Sequence, residues 1–363
     1  MNEIFTYPEK MWEGYLEEYL GYLDFAAASN DTLGHVSQHM RACDYLFVSP
    51  FFINIIKGLE NDYSVGCLVN DSYEFYLCDA HKVPNLGTWS WSRMLLKAYK
   101  GDGDTDDVIR LITGVLRSLR PKVIFLKHDS LFVERAIITA ARQLGIPTVM
   151  VQHGIFTKVS PIRLWGGTWV DHIMTWGDYF TDYFVRTGIS EKVYTLGYPR
   201  KAGIFEPKPP ESVCLLGRAS DEIIEAVRKA CKKTKLKLVY RPHPGETRRA
   251  LKGVDVGPSG DNLYNAIKEH DIFIALMSTA LIEAAIGGRI ALQVAHSDHA
   301  ADDLQVVAGL YTVPATVHHI RQFLKEVKRG TYGAKTPNSN YVLYEEDIIP
   351  RFLKLTETII DGQ

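Results

Sequence analysis

The segment 121–154, PKVIFLKHDSLFVERAIITAARQLGIPTVMVQHG, constrains the fold more than any other part of the chain. The run VIFL is typical of a short buried strand, and LFVERAIITAARQL carries apolar residues at helical spacing. Gly145 and Pro147 then interrupt the chain before a second apolar run, TVMVQ. A strand, a helix and a strand in this order predict a unit of a parallel sheet, and therefore an α/β fold.

A second region of the same kind lies between residues 212 and 295. SVCLLG, LKLVYR, DIFIAL and RIALQVA are strand-like, and SDEIIEAVRKACKK and STALIEAAIGG are helix-like. We therefore expect a second parallel sheet with its own ligand crevice. The segment between the two regions, 193–212, holds four prolines and two glycines, which is typical of a linker.

The length of 363 residues suits two domains. We predict an N-terminal domain over 1–198 and a C-terminal domain over 199–344. The last segment, 345–363, has a helical pattern, and packing back on the N-terminal domain is one choice that the sequence leaves open. In the first hundred residues, CDYLFVSPFF and YSVGCLVND are strand-like, and the aromatic residues between Tyr15 and Phe25 favour a buried helix.

Composition excludes some classes of protein. Lys and Arg number 41 against 43 Asp and Glu, which disfavours a nucleic-acid-binding protein, and 46% hydrophobic residues exclude global disorder. No stretch approaches the roughly 18 apolar residues of a membrane span, and the N-terminus lacks a signal-peptide pattern. We therefore expect a cytoplasmic protein. The odd number and wide spacing of the cysteines predict reduced thiols: Cys43, Cys67, Cys78, Cys214 and Cys231.

The string RPHP at 241–244 predicts a phosphate site. Its prolines restrict the backbone, and the guanidinium of Arg241 and the imidazole of His243 can hydrogen-bond a phosphate or protonate it as it leaves. Ser278 and Thr279 stand where a helix should begin after a strand, which favours either an anion site or simple capping. Glu283, one turn later, either accepts from a ribose hydroxyl or is solvated.

Polar residues also end the two strands of the first region. Lys127, His128 and Asp129 follow VIFL, and Gln152, His153 and Gly154 follow TVMV. His153 is a candidate general base for a hydroxyl, with a structural histidine as the alternative. Asp129 is a candidate base, an orienter of the imidazole or a nucleophile.

Several acidic or histidine-rich strings imitate metal sites. GDGDTDDVIRL at 101–111 lacks the residues that a calcium loop requires, and an acidic helix start explains it better. His35 and His39 lack the glutamate of a zinc protease motif. HSDHAADD at 296–303 is better explained as a polar loop. We expect neither a metal nor a cofactor.

With these residues assembled, the chain resembles GT-B glycosyltransferases of bacterial surface-glycan synthesis. The similar families are capsule Kdo transferases, sialyl- and polysialyltransferases, and CDP-glycerol glycerophosphotransferases. The resemblance rests on QLGIPTVMVQHG (143–154), YRPHP (240–244) and DIFIALMSTALIEA (271–284), with TLGYPR (195–200) at the interdomain crossover. It implies an α/β fold of two Rossmann-like domains facing a central cleft.

The resemblance also implies roles for individual residues. His243 would contact the donor phosphate and act as the acid, and Ser278 and Thr279 would hold that phosphate. The base is His153 or Asp129, and Asp129 is the better nucleophile if the enzyme retains configuration. The expected donor-binding set is Gly217, Arg218, Arg241, His243, Pro244, Ser278, Thr279 and Glu283, and the expected acceptor-binding set is Lys127, Gln152 and Gly154.

The preferred function is metal-independent transfer of a sugar to a glycan hydroxyl. The preferred donor is a CMP-linked 2-keto sugar such as Kdo or a sialic or other nonulosonic acid, with capsule, lipopolysaccharide or a lipid-linked glycan as acceptor. The alternatives are a UDP-HexNAc 2-epimerase-like enzyme, a CDP-polyol transferase and a non-catalytic glycan- or nucleotide-binding module. Residues 201–252 hold 13 Lys and Arg against 6 Asp and Glu, which suits a solvated surface or peripheral association with the inner membrane surface.

Overall fold

The structure is a computed structural model and describes residues 42–70, 72–154, 169–200, 203–206, 208–217, 219–243, 246, 251, 253–257, 263–276, 278–295 and 310–362. These residues form two parallel sheets of seven and six strands, together with eleven helices. The predicted α/β class is confirmed, and each sheet belongs to a Rossmann-like domain. None of the described helices is long and apolar enough to cross a membrane.

The first sheet has the strand order β3-β2-β1-β4-β5-β6-β7, with every pair parallel. Its strands are β1 (Tyr45–Val48), β2 (Val65–Val69), β3 (Asn85–Gly87), β4 (Val123–Leu126), β5 (Thr148–Val151), β6 (His172–Thr175) and β7 (Val193–Thr195). Its helices are α1 (Ile53–Leu59), α2 (Ser72–Ala80), α3 (Trp89–Tyr99), α4 (Thr105–Leu119), α5 (Phe132–Gln143) and α6 (Asp178–Arg186).

Side chains of this sheet alternate between two hydrophobic cores. On β1, Leu46 and Val48 pack in a core with α3, α4 and α5, whereas Tyr45 and Phe47 pack in a second core with α1. Successive side chains of a strand point to opposite faces, so a sheet that is buried on both faces needs apolar residues throughout. This explains why the strands are continuous apolar runs.

The second sheet repeats the pattern with the order β10-β9-β8-β11-β12-β13, again all parallel. Its strands are β8 (Ser212–Leu216), β9 (Lys237–Arg241), β10 (Asp255–Val256), β11 (Ile272–Ala275), β12 (Ile290–Ala295) and β13 (Tyr311–Pro314). Its helices are α7 (Asp221–Thr234), α8 (Leu263–Glu269), α9 (Ala280–Ile286) and α10 (Val317–Lys328). The lysines at the end of α7 and the start of β9 are exposed.

The described chain divides into two compact units, one around each sheet. The first contains residues 42–153, 169–200 and 347–362, and the second contains Gly154 and the described residues between 203 and 346. The last helix, α11 (Ile349–Asp361), belongs to the first unit. Phe352 of α11 is fully buried there, and its ring lies 4.8 Å from that of Phe125.

Two local predictions are settled by the structure. Asp104 caps α4 by accepting from the Asp106 backbone N–H at 3.0 Å, which confirms the acidic helix start. The linker prediction was partly wrong, because Val193–Thr195 pair with β6 as the edge strand β7. The predicted helix near Tyr15, the pair His35 and His39, and the string at 296–303 lie outside the described residues.

Candidate functional site

The strand order of each sheet contains one reversal point. The chain moves to one side from β1 and to the other from β4, and it does the same from β8 and β11. Open α/β sheets bind ligands beyond the carboxyl ends of the strands at such a point. Ser49 and Lys127 follow the strands at the first reversal point, and Gly217 and Leu276 follow those at the second.

In the C-terminal domain, Pro242 and His243 form the described part of the RPHP turn, and they lie directly against the end of β8. A Cβ atom on Gly217 would lie 2.2 Å from the backbone nitrogen of His243 and 2.8 Å from the carbonyl carbon of Pro242. Real Cβ atoms do not approach a backbone so closely, so this contact requires glycine. The backbone of the turn is thereby held at the carboxyl end of β8, next to the reversal point.

Glu246 also binds this turn, and one of its carboxylate oxygens would lie 2.7 Å from a Cβ on Gly217. One carboxylate oxygen accepts from the Tyr240 hydroxyl at 2.6 Å, and the other accepts from the backbone N–H of His243 at 3.1 Å. Tyr240 is fully buried, so the carboxylate is tied to the domain core. Sequence reasoning missed Glu246, although its position immediately after HPG was the available signal.

Three of the other predicted donor residues, Ser278, Thr279 and Glu283, follow β11 along the chain. The Ser278 hydroxyl accepts from the backbone N–H of Ala280 at 3.3 Å, and Thr279 makes no side-chain capping bond. Glu283 is buried, so the solvated alternative for it is wrong. Arg241 ends β9 and is half-buried. Arg218 and Pro244 lie outside the described residues.

His153 is the partly exposed imidazole at the end of β5 in the N-terminal domain. Its ring lies edge-to-face with that of Phe51 at 6.0 Å and with that of His128 at 5.7 Å. Burial, followed by the positive charge of Lys127, lowers the pKa of His153 to about 4. The imidazole is therefore neutral at pH 7, which is the proton-accepting form, although the low pKa weakens it as a base.

Lys127 points to a buried carboxylate that the sequence analysis did not single out. Its ammonium lies 3.0 Å from the carboxylate of Glu74 on α2, and the Lys127 side chain retains 24% exposure. Ser49 donates to the same carboxylate oxygen at 2.5 Å. The predicted acceptor residue thus belongs to a group of three polar side chains at the first reversal point.

Asp129 and Gln152 lie deeper than a site facing solvent requires, and both are fully buried. The Asp129 carboxylate accepts from the backbone N–H groups of Trp169 at 2.8 Å and Val170 at 3.2 Å. The Gln152 side-chain oxygen accepts from the Trp176 backbone N–H at 2.8 Å. These bonds favour roles in holding the start and the end of β6.

The remaining candidates for chemistry are few. Within the described residues, no group of three or more His, Cys, Asp or Glu is placed to hold a metal ion. The five cysteines are free and buried, which confirms the prediction of reduced thiols. Burial raises the pKa of Cys43, Cys214 and Cys231 to about 12 each, so these thiols are poor nucleophiles.

Comparisons with known proteins give a fold and no family. No protein-family model and no curated protein matches the chain. Among solved structures, a UDP-GlcNAc 2-epimerase from Neisseria meningitidis bound to UDP-GlcNAc is similar with a TM-score of 0.61 and 11% identity, covering 86% of this chain and 99% of that one.

Two transferases are similar over comparable lengths. A glycosyltransferase from Rickettsia africae has a TM-score of 0.57 and 11% identity, with coverage of 90% and 100%. The spinosyn forosaminyltransferase SpnP has a TM-score of 0.54 and 13% identity, with coverage of 87% and 100%. Identities this low establish the fold alone, and the chain has the GT-B fold.

Proposed function

We propose that this protein is a glycosyltransferase that moves a sugar from a nucleotide donor to a glycan hydroxyl. The observation that carries the proposal is the contact between Gly217 and the RPHP turn, which holds Arg241 and His243 at the ligand-binding edge of the second sheet. The presence of His153 and Lys127 at the corresponding edge of the first sheet supports a separate acceptor site. The likeness to an epimerase bound to UDP-GlcNAc and to a glycosyltransferase supports the same function.

In this mechanism the C-terminal domain stabilises the leaving nucleotide. The bond between the anomeric carbon and the phosphate oxygen breaks, and both electrons of that bond go to the phosphate. Arg241 neutralises the developing charge, His243 supplies a proton or a hydrogen bond, and the hydroxyls of Ser278 and Thr279 donate to phosphate oxygens. The set contains donors of the kind that bind phosphate without a metal.

The N-terminal domain binds the acceptor and activates its hydroxyl. Neutral His153 takes the proton of the acceptor hydroxyl as its oxygen forms the new bond to the anomeric carbon, and Lys127 binds that oxygen. A CMP-linked 2-keto sugar is the preferred donor, because its leaving group is a phosphate monoester that a cation and hydroxyl donors can stabilise. CDP-polyols and UDP-sugars are the competing donor classes.

Titration calorimetry with CMP, CDP and UDP tests the donor site. We expect wild type to bind at least one of them and His243→Ala to bind it at least about tenfold more weakly, which corresponds to one lost charge-assisted hydrogen bond. His318→Ala is the matched control, since His318 is exposed on α10 of the same domain. If wild type binds none of the three, or His243→Ala binds as wild type does, the donor site is wrong.

A UDP-GlcNAc 2-epimerase is the second candidate, favoured by the TM-score of 0.61 to the Neisseria enzyme. The two functions differ in their need for an acceptor. Incubation with UDP-GlcNAc alone, followed by chromatography of the sugar nucleotide, should show an epimer if this candidate is right. Turnover that requires a glycan acceptor would instead support the transferase.

A further inference from the structure

The carboxylate of Glu74 is buried beside the first reversal point and is bound by three donors. The Ser49 hydroxyl lies at 2.5 Å and the Lys127 ammonium at 3.0 Å from one oxygen, and the Asn70 backbone N–H lies at 2.8 Å from the other. A buried carboxylate is costly unless it is paired and hydrogen-bonded. Three donors fix its position, and with it the position of the ammonium.

Ser49 adopts a strained backbone to reach this carboxylate. Its φ of 94° and ψ of 136° lie in a region that residues other than glycine rarely adopt, at a cost of about 1–3 kcal/mol. The strain is held in place by the Ser49 backbone N–H, which donates to Leu68 at 2.8 Å, and by the Ser49 hydroxyl, which accepts from Phe51 at 3.3 Å. Such strain persists only where the surroundings determine the conformation.

Two residues connect Ser49 and Glu74 to His153, and they are Lys127 and Phe51. Lys127 is close enough for its charge to lower the pKa of the imidazole, and His153 is hydrogen-bonded to the Lys127 backbone. Phe51, whose N–H binds Ser49, packs its ring against the His153 ring. The strained serine and the buried carboxylate thus support the base candidate from two directions.

We propose that Ser49 and Glu74 are positioning residues that hold the Lys127 ammonium beside His153, so that Lys127 binds the acceptor oxygen while His153 takes its proton. The chemical part of this assignment rests on the proposed function. The structural part does not, because the position of Lys127 relative to His153 can be measured without any turnover.

Charged and titratable groups from several elements bear on His153. Lys127 and His128 come from the end of β4, and Arg200 follows β7 with its guanidinium 3.9 Å from the Phe51 ring centre. Arg200 and Lys127 both lower the pKa of His153. Burial, with smaller contributions from Lys127 and His153, lowers the pKa of His128 well below its ordinary value, so His128 is uncharged near neutral pH.

The test is an NMR titration of His153 in the full chain with labelled histidine. Lys127→Met removes the cation and should raise the pKa of His153 by about 0.5–1 unit. If Glu74 holds the ammonium in place, Glu74→Gln releases it and the pKa of His153 rises as well. If Glu74 only neutralises Lys127, its loss leaves a stronger positive field and the pKa falls; a fall or no change overturns the proposal.

Ser49→Gly gives a second, independent variant. Glycine adopts a φ of 94° freely, so this change removes the hydroxyl without disturbing the backbone. We expect the pKa of His153 to rise by less than in Glu74→Gln, and an unchanged value would contradict the role of Ser49. Exposed residues of the same domain supply the matched controls, Glu191→Gln and Lys97→Met, which should leave the His153 titration unchanged.

Kinetics separate this inference from the proposed function. Once an acceptor substrate has been identified, Lys127→Met should lower kcat/KM about 100-fold or more. Glu74→Gln should lower kcat/KM by a smaller factor, and Glu74→Asp should lower it less than Glu74→Gln does. If wild type has transferase activity but the pKa of His153 does not rise in Glu74→Gln, the positioning role is refuted and the proposed function is not. A raised pKa in a protein without transferase activity would refute the proposed function and leave the positioning of Lys127 intact.

Discussion

A Cβ atom on Gly217 would lie 2.2 Å from the backbone nitrogen of His243. That nitrogen also donates to Glu246 at 3.1 Å, and the accepting oxygen would lie 2.7 Å from the same Cβ, so the strand end, the turn and the carboxylate meet at one point. Gly217 and His243 stand 26 positions apart in the chain, and they meet because β8 pairs with β9 in parallel register.

Gly217→Ala should therefore displace the turn. We expect nucleotide affinity to fall about tenfold or more and the free energy of unfolding to fall by about 1–3 kcal/mol, the usual cost of overpacking. Calorimetry and urea denaturation measure the two effects. Gly114→Ala is the control, since a Cβ there meets open space within α4 and alanine should stabilise that helix by about 0.5–1 kcal/mol.

Phe352 should anchor the C-terminal helix to the first domain. The ring is fully buried against those of Phe125 at 4.8 Å and Phe47 at 6.2 Å. Phe352→Ala should lower the free energy of unfolding by about 3–5 kcal/mol through the cavity that it leaves. Tyr76→Ala, at a side chain that is 58% exposed, should cost far less in the same urea titration. Equal losses would show that α11 does not depend on this ring.

Glu134 should make stability depend on pH. Burial raises its pKa from 4.5 to about 7, so the folded protein binds a proton that the unfolded chain releases between these values. The stability of wild type relative to Glu134→Gln is therefore greatest below pH 4.5 and falls as pH rises to about 7, by about 3 kcal/mol in total. Urea titrations of both proteins at pH 4.5, 6 and 8 measure this difference.

The exposed Glu191→Gln variant serves as control in the same titrations. A difference between wild type and Glu134→Gln that stays constant from pH 4.5 to 8 would contradict the raised pKa. The titration of His172, which has no contact with Glu134 among the described bonds, is shared by both proteins. His128 is the exception, because its Nε2 lies 3.8 Å from Glu134 Oε1, so the NMR titration of His128 is followed in both proteins.

Asp129→Asn should distinguish a structural carboxylate from a catalytic one. The Asp129 carboxylate accepts from the backbone N–H groups of Trp169 and Val170. An asparagine side chain lacks the negative charge that strengthens these bonds, so Asp129→Asn should lower the free energy of unfolding by about 1–3 kcal/mol. Well below the melting temperature, we expect kcat to fall less than tenfold. A fall of a thousandfold or more without a change in melting temperature would return Asp129 to the role of base or nucleophile.

Most strands of both sheets could be predicted because their signals are local. VIFL, TVMV and SVCLL are continuous apolar runs bounded by glycine, proline or polar residues, and they form β4, β5 and β8. The edge strand β7 could not be predicted, since Val193–Thr195 are only partly buried and become a strand by pairing with β6. An edge strand takes its structure from a neighbour, and here β6 precedes β7 by a helix and two loops.

The sequence by itself determined most of the strands, and it placed polar residues at the strand ends where a ligand can bind. Only the tertiary structure decided which of those residues are available for chemistry. Asp129 and His153 looked equivalent as strand-end residues, but packing commits the first to the backbone just before β6 and leaves the second partly exposed. Ser49 and Glu74, 25 residues apart, meet only because β1 and β2 pair in parallel and α2 follows β2. Periodicity depends on neighbours along the chain, whereas a site depends on contacts that the folded sheet creates.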